Sequence, residues 1–312
     1  MGAGHSHDGG HTSGHASGRA EDRRRLALVL AITSSVVVVE ALGAWWSGSL
    51  ALLADAGHLL TDAAGIVIAL CASLIATRPP SPRRTFGNHR AEILAAVVNA
   101  LVLIALCGYL AYAGTRRLFD PTDVDAGRLL VFAAIGLAAN LLAVAVLSRR
   151  QGSSLNMRAA YLEVLSDAFG SVAAIVAGVL VLTTGFDRAD SIASLVIALL
   201  VLPRAWALLR EAGAVLLEAT PTDIDIEVIR EHLCGAEGVV DVHDLHAWTI
   251  TSGMPALSAH ITVTESALAS RGVGAILDDL TGCVAEHFSI DHATFQVEPE
   301  SHRDHEHDTE HA

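Results

Sequence analysis

From Leu26 to Leu209 the chain reads as long apolar stretches with short polar breaks, and beyond Leu209 the apolar positions turn periodic. A run of about 20 apolar residues is long enough to cross a bilayer as a helix. Six spans are predicted: Leu26 to Trp46, Leu50 to Ala76, one ending near Leu118, Leu129 to Leu147, one ending near Leu182 and one ending near Leu209. The breaks are Ser47-Gly48-Ser49, a proline-rich basic loop over 78–90, a polar stretch over 119–127, an arginine-flanked loop over 149–158, and a turn over 185–190. Further on, 223–233 carries an amphipathic helical pattern and 239–250 alternates in part as a strand. A second strand over 257–263, a helix over about 273–287 and a third strand over 294–298 follow. An α-β-β-α-β order over about 80 residues fits a small open-faced α+β domain. The chain therefore divides into a tail (1–25), a six-span membrane domain (26–210), a C-terminal α+β domain (211–300) and a second tail (301–312).

Composition adds to that division. The chain is 52% hydrophobic with a mean hydropathy of +0.47, and its net charge of −14 belongs mostly to the polar flanks. An acidic balance lacks the basic footprint that nucleic-acid binding needs, so no nucleic-acid partner is expected. All the positive charge is arginine. Cys71, Cys107, Cys234 and Cys283 form no CxxC pair, which indicates neither a disulfide framework nor a cysteine zinc site. The Gly/Ser-rich first tail, with His5, His7, His11 and His15, cannot bury a core and is expected to be disordered. It does not read as a signal peptide. His302, His305, His307 and His311 repeat the histidine bias at the other end, so both tails are candidate weak metal collectors.

Two stretches share one spelling inside the spans. His58-Leu59-Leu60-Thr61-Asp62 lies in the second, and Glu163-Val164-Leu165-Ser166-Asp167 in the fifth. On a helix, i and i+4 are about 5–6 Å apart on one face, so each stretch offers two donors sideways. Two such faces turned together supply four donors, the number zinc-like cations take. An ionisable residue near the bilayer centre costs at least ~2.5 kcal/mol, so such residues face a bundle interior or a wet cavity. Glu40 and Asp55 are further acidic residues within spans, candidates for groups beside the site or in its vestibule.

Arginine counts orient the spans. One set of loops holds Arg19, Arg23–Arg25, Arg78, Arg83, Arg84, Arg90, Arg149, Arg150, Arg158, Arg204 and Arg210; the other holds Arg116, Arg117, Arg128 and Arg188. The richer side is expected in the cytoplasm, which places both termini inside at the cell's inner membrane. The two stretches are 163 − 58 = 105 residues apart, consistent with two three-span repeats of opposite orientation.

Three motifs in order carry a family resemblance: 47–58 (SGSLALLADAGH), 86–92 (FGNHRAE) and 242–248 (VHDLHAW). The chain resembles the cation diffusion facilitator family, its zinc, cobalt and cadmium exporters in particular. The resemblance implies a homodimer of six-span subunits with cytoplasmic ferredoxin-like domains, embedded in membrane lipid and exporting divalent metal against protons. By position it implies a transport site of His58, Asp62, Glu163 and Asp167, with zinc as substrate and regulatory ligand and no prosthetic group. Glu163 departs from the family's usual histidine, and its harder oxygen suits manganese, iron or cobalt better. In the C-terminal domain the resemblance implies metal ligands among His243, His260, His292 and Glu298. His246 is expected beside the buried Trp248 face as a structural residue, and His89 is a candidate accessory site. An intramembrane metalloenzyme lacks an HExxH helix here, so no enzyme is expected. A membrane metal sensor is the remaining alternative, and it gives no reason for ligands inside paired spans.

Overall fold

The computed structural model describes residues 12–148, 155–251 and 253–305. Six long helices come first: α1 (Thr12–Ser47), α2 (Leu50–Ala76), α3 (Arg90–Phe119), α4 (Ala126–Ser148), α5 (Leu155–Thr184) and α6 (Arg188–Leu216). Each contains a stretch long and apolar enough to cross a membrane. There follow α7 (Ile226–Cys234), β1 (Val239–Thr251), β2 (Met254–Val263), α8 (Glu265–Phe288), β3 (His292–Pro299) and a 3₁₀ turn, Glu300–His305. From α2 to α5 the helix boundaries fall within a few residues of those the apolar runs predict, because in hydrocarbon an unpaired backbone group is too costly to leave mid-span, while α6 runs on past the predicted Leu209 to Leu216.

The first helix differs from expectation. It begins at Thr12, so 12–25 is helical backbone rather than a disordered tract. A helix already formed by the apolar span extends without a new nucleation cost, each added residue gaining one hydrogen bond. His5, His7, His11, His307 and His311 lie outside the described residues.

The chain forms two compact units, Met1–Val67 with Asn99–Ala207, and Ile68–Val98 with Leu208–Ala312. In the first, alanines close the helices on one another. Ala51 and Ala54 of α2, Ala133 of α4, Ala174 and Ala177 of α5 and Ala193 of α6 share a buried cluster with Leu52, Leu129 and Ile197. Small residues let membrane helices approach closely, and close packing is what holds them where lipid is as apolar as leucine. Leu60, Leu199 and Leu200 are exposed, as a hydrocarbon solvent allows.

The turn into α2 is tied from a distance. Gly48 has φ +71°, a left-handed conformation that glycine adopts without strain. Beyond it the first N–H groups of α2 have no intrahelical acceptor. Asp190, buried at the start of α6, takes two of them: Leu50 N donates to Oδ2 at 2.6 Å and Ala51 N to Oδ1 at 3.3 Å. The Ser49 hydroxyl donates to the same carboxylate.

In the second unit, the sheet order is β1-β2-β3, with β1 antiparallel and β3 parallel to the central strand. Ile229 and Leu233 of α7 and Ile276, Leu280 and Val284 of α8 cover one face over Val242, Leu245, Leu257 and Ile261. Both helices start on side-chain caps, Asp225 accepting from Glu227 N and Thr264 from Ala267 N. The eighth helix begins at Glu265, eight residues before the predicted start, because Gly272 at φ 74°, ψ 158° breaks it and interrupts the periodic signal. The partial alternation of β1 also has a cause. Between the pairs His243↔His260 and His246↔Ser258 the register shifts, with Asp244 left-handed at φ 48°. This bulge carries the core face from Val242 to Leu245 and Ala247, and puts His243, His246 and Trp248 together on the opposite face.

Candidate functional site

The second and fifth helices bring His58 against Asp167. The His58 Nε2 atom lies 3.2 Å from Asp167 Oδ1, both side chains buried, while Nδ1 lies 3.2 Å from the Ala54 carbonyl one turn back. A carbonyl oxygen can only accept, so Nδ1 carries a proton. In a neutral ring Nε2 then presents a lone pair to a carboxylate, which only a bound positive charge makes favourable. That charge is either a second proton on the imidazole or a cation shared with Asp167. Asp55 Oδ1, at 3.8 Å from Nδ1, adds negative charge on the other side.

Asp62 and Glu163, the other two of the predicted four, lie on the same two helices, though among the described residues no three of the four have ligand atoms within 4.8 Å of one another. With Asp167 they line a cavity of about 250 Å³, whose other walls include Leu30, Thr33, Leu59, Ile66 and Val164. The carboxylates of Asp62 and Glu163 are joined through a residue of α6: Arg204 Nη1 lies 3.7 Å from Asp62 Oδ2 and Nη2 2.9 Å from Glu163 Oε1. Counted by sequence among the loop arginines, Arg204 instead stands within the helix, directly after Pro203. An arginine near the end of an apolar run looks like a flanking charge, and nothing local distinguishes it.

Glu40 and Asp55 are fully buried beside these residues. Asn140 Nδ2 of α4 donates to Ser171 Oγ of α5 at 3.3 Å, and that hydroxyl donates to Asp55 Oδ2 at 3.2 Å. A Cβ on Gly136 would collide with the Glu40 carboxylate and one on Gly170 with that of Asp55, so both glycines make room for buried acids. Asn140 and Ser171 had no sequence signal, since single amide and hydroxyl residues are common in apolar spans.

In the C-terminal domain, His243, His260 and Glu298 come from three adjacent strands, with ligand atoms all within 4.8 Å of one another. Among the described residues they are the one group of three or more His, Cys, Asp or Glu residues closed to that degree. His260 Nδ1 is 3.3 Å and His243 Nε2 3.9 Å from the Glu298 carboxylate, which is buried, and the two rings meet edge to face. Among the described residues none donates a hydrogen bond to Glu298 Oε2, which fits a carboxylate shaped to meet a cation. The structure does not bring His292 to them. It begins the strand that Glu298 ends, roughly 20 Å away at the usual strand rise, with its ring edge-on to Phe86.

His246 corrects another expectation: it is exposed, with Nε2 2.9 Å from Asp244 Oδ1, because the bulge turns its face away from the core. Asp244, not anticipated from sequence, also reaches to 3.7 Å from His260 Nε2. His89 lines a separate cavity of about 620 Å³ with Arg83, Arg90 and Trp248. All four cysteines are free thiols. Burial pushes the Cys234 and Cys283 thiols up from their ordinary value, so neither is poised as a thiolate ligand.

Six membrane-crossing helices with acids and an imidazole turned inward between them, followed by an α+β domain, define a membrane transport protein. The chain belongs to the cation diffusion facilitator family: the cation efflux transmembrane domain matches residues 26–217 and the cation efflux protein cytoplasmic domain matches 221–300. It is similar to the metal cation efflux system protein CzcD of Cupriavidus metallidurans, 41% identical over 298 residues, covering 96% of this chain and 90% of that protein. Similarity of 38% over 300 residues extends to the zinc transporter ZitB of Escherichia coli, covering 96% and 93%. The cadmium, cobalt and zinc/H(+)-K(+) antiporter of Bacillus subtilis is 37% identical over 302 residues, again covering 96% and 93%. The protein is an integral membrane metal-cation efflux transporter and not an enzyme.

Proposed function

We propose that the protein exports divalent metal in exchange for protons through a site formed by His58, Asp62, Glu163 and Asp167, with zinc as the first substrate. The observation that carries this is His58 Nε2 facing Asp167 Oδ1 at 3.2 Å with Nδ1 already committed to Ala54. That position holds either a proton or a metal ion, and the two exclude each other. Metal entering from the cytoplasm displaces the proton, and protonation on the far side releases the metal. The names of the relatives agree with this: one is a zinc transporter, another an antiporter. Glu163 supplies a hard oxygen, so cobalt, manganese and iron are competing substrates, and cadmium joins them on the name of the Bacillus subtilis relative.

The richer arginine content of one set of loops supports both termini facing the cytoplasm at the inner membrane. The matching C-terminal family domain supports a homodimer. Residues 26–210 then act as the transport domain, 211–300 as the domain that senses metal and joins the subunits, and the histidine tails 1–25 and 301–312 as collectors. The regulatory ion is held by His243, His260 and Glu298; His292 is too far along its strand to share it.

The test is counterflow in proteoliposomes. An imposed pH gradient is expected to drive zinc uptake, with cobalt, cadmium, manganese and iron compared alongside; uptake indifferent to the gradient for all five removes the antiport reading. For the regulatory site, Glu298→Ala in the full-length protein is expected to lower the bound-zinc stoichiometry by about one ion per subunit at equilibrium dialysis, since one of only three donors is lost. An unchanged stoichiometry rejects that site and leaves the membrane site standing.

A further inference from the structure

Arg204 bridges two helices in the way a metal ion is proposed to. Its two terminal nitrogens contact carboxylates from different helices, Asp62 of α2 and Glu163 of α5. Both carboxylates line the cavity with Asp167, and both belong to the proposed transport site. The guanidinium therefore occupies positions that a bound cation needs. We propose that Arg204 is a tethered counter-ion of the unloaded transport site, displaced by the incoming metal and so setting the affinity at which the transporter loads. The inference rests on the transport site proposed above.

Three features favour displacement over a permanent tie. The contacts are unequal, 2.9 Å to Glu163 against 3.7 Å to Asp62, so the hold on Asp62 is the looser one. A single positive charge is shared between two carboxylates, and a divalent ion brings twice that charge to the same pair. The preceding residue, Pro203, lies inside the helix, where it removes one backbone hydrogen bond and leaves a place for α6 to bend. Charge gives the reason for the device. Asp62, Glu163 and Asp167 are three acids around one site, and His58 pairs with Asp167 alone. A resident cation offsets part of their repulsion when the metal has left. Glu163 and Asp62, the two acids that His58 does not reach, are the pair Arg204 contacts.

The competition predicts that Arg204→Gln loads more readily. Zinc binding to the full-length protein is to be measured in wild type, Arg204→Gln, Arg204→Lys and Asp62→Ala, the component lost in Asp62→Ala being the transport site. For that component, Arg204→Gln is expected to lower Kd by ~5–10-fold, and Arg204→Lys to stay within ~2-fold of wild type. A cation standing permanently near the metal is also repulsive, so a second measurement separates the two cases. Phenylglyoxal labelling of Arg204, read by mass spectrometry, is expected to rise when zinc is added to wild type and to stay flat in Asp62→Ala. Labelling unchanged by zinc, or an unchanged or higher Kd in Arg204→Gln, overturns the displacement. If wild type shows no Asp62-dependent zinc component at all, the transport-site reading fails instead.

Discussion

Alanine at Asp62 or at Asp167 is expected to reduce pH-driven zinc uptake by reconstituted protein to the level of protein-free vesicles. Each replacement removes one of the four donors of the proposed site. Loss of a group that merely supports a ligand already costs 10–100-fold in metal affinity, so loss of a ligand costs at least ~100-fold. The two variants differ in what they leave behind. In Asp167→Ala the His58 Nε2 atom faces no carboxylate, and the pair proposed to hold a proton or a metal in turn no longer exists. In Asp62→Ala that pair remains, but among the described residues Arg204 keeps Glu163 alone as a carboxylate partner. Asp167→Asn keeps the shape without the charge and is expected to be equally inactive. Uptake that persists at wild-type rate in both alanine variants, with normal insertion, rejects the four-residue site.

Asp190→Ala is expected to cost ~3 kcal/mol or more and to lower the thermal unfolding temperature of the solubilised protein. The carboxylate accepts from Leu50 N, Ala51 N and the Ser49 hydroxyl, all in a buried setting. Hydrogen bonds to a charged group contribute ~1.5–3 kcal/mol each, and removing the acceptor leaves donors at a helix start with no water to replace it. The negative charge also faces the positive end of the α2 dipole. Asp190→Asn keeps an acceptor and is expected to lose about half as much. Unfolding temperatures equal to wild type for the alanine variant show that the contacts contribute nothing.

The sequence discloses the fold almost completely, and for a physical reason. In a bilayer, apolar run length and helix length are the same quantity, so 50–76 and 90–119 could be delimited from composition with little error. The soluble domain is less legible where the backbone leaves its period. The bulge at Asp244 shifts the alternation of β1, and Gly272 hides the first turns of α8. In the candidate site, His58, Asp62, Glu163 and Asp167 stand out because charge inside an apolar run is costly and the spacing repeats. Arg204, Asp190, Asn140 and Ser171 do not stand out, since their meaning comes from partners far away along the chain. Asp190 and Leu50 are 190 − 50 = 140 positions apart, a separation no local pattern can encode.

The tie between Asp190 and the start of α2 also governs how the helices can part. Both helices run the same way from that knot, and they meet again through Arg204 and Asp62, 204 − 190 = 14 and 62 − 50 = 12 residues on. At helical rise each arm is roughly 20 Å long. Fastened at one end by three hydrogen bonds to a buried carboxylate and joined at the other by one 3.7 Å ion pair, α2 and α6 make a clothes-peg, with its spring at Asp190 and its lighter jaws at the Asp62 wall of the cavity.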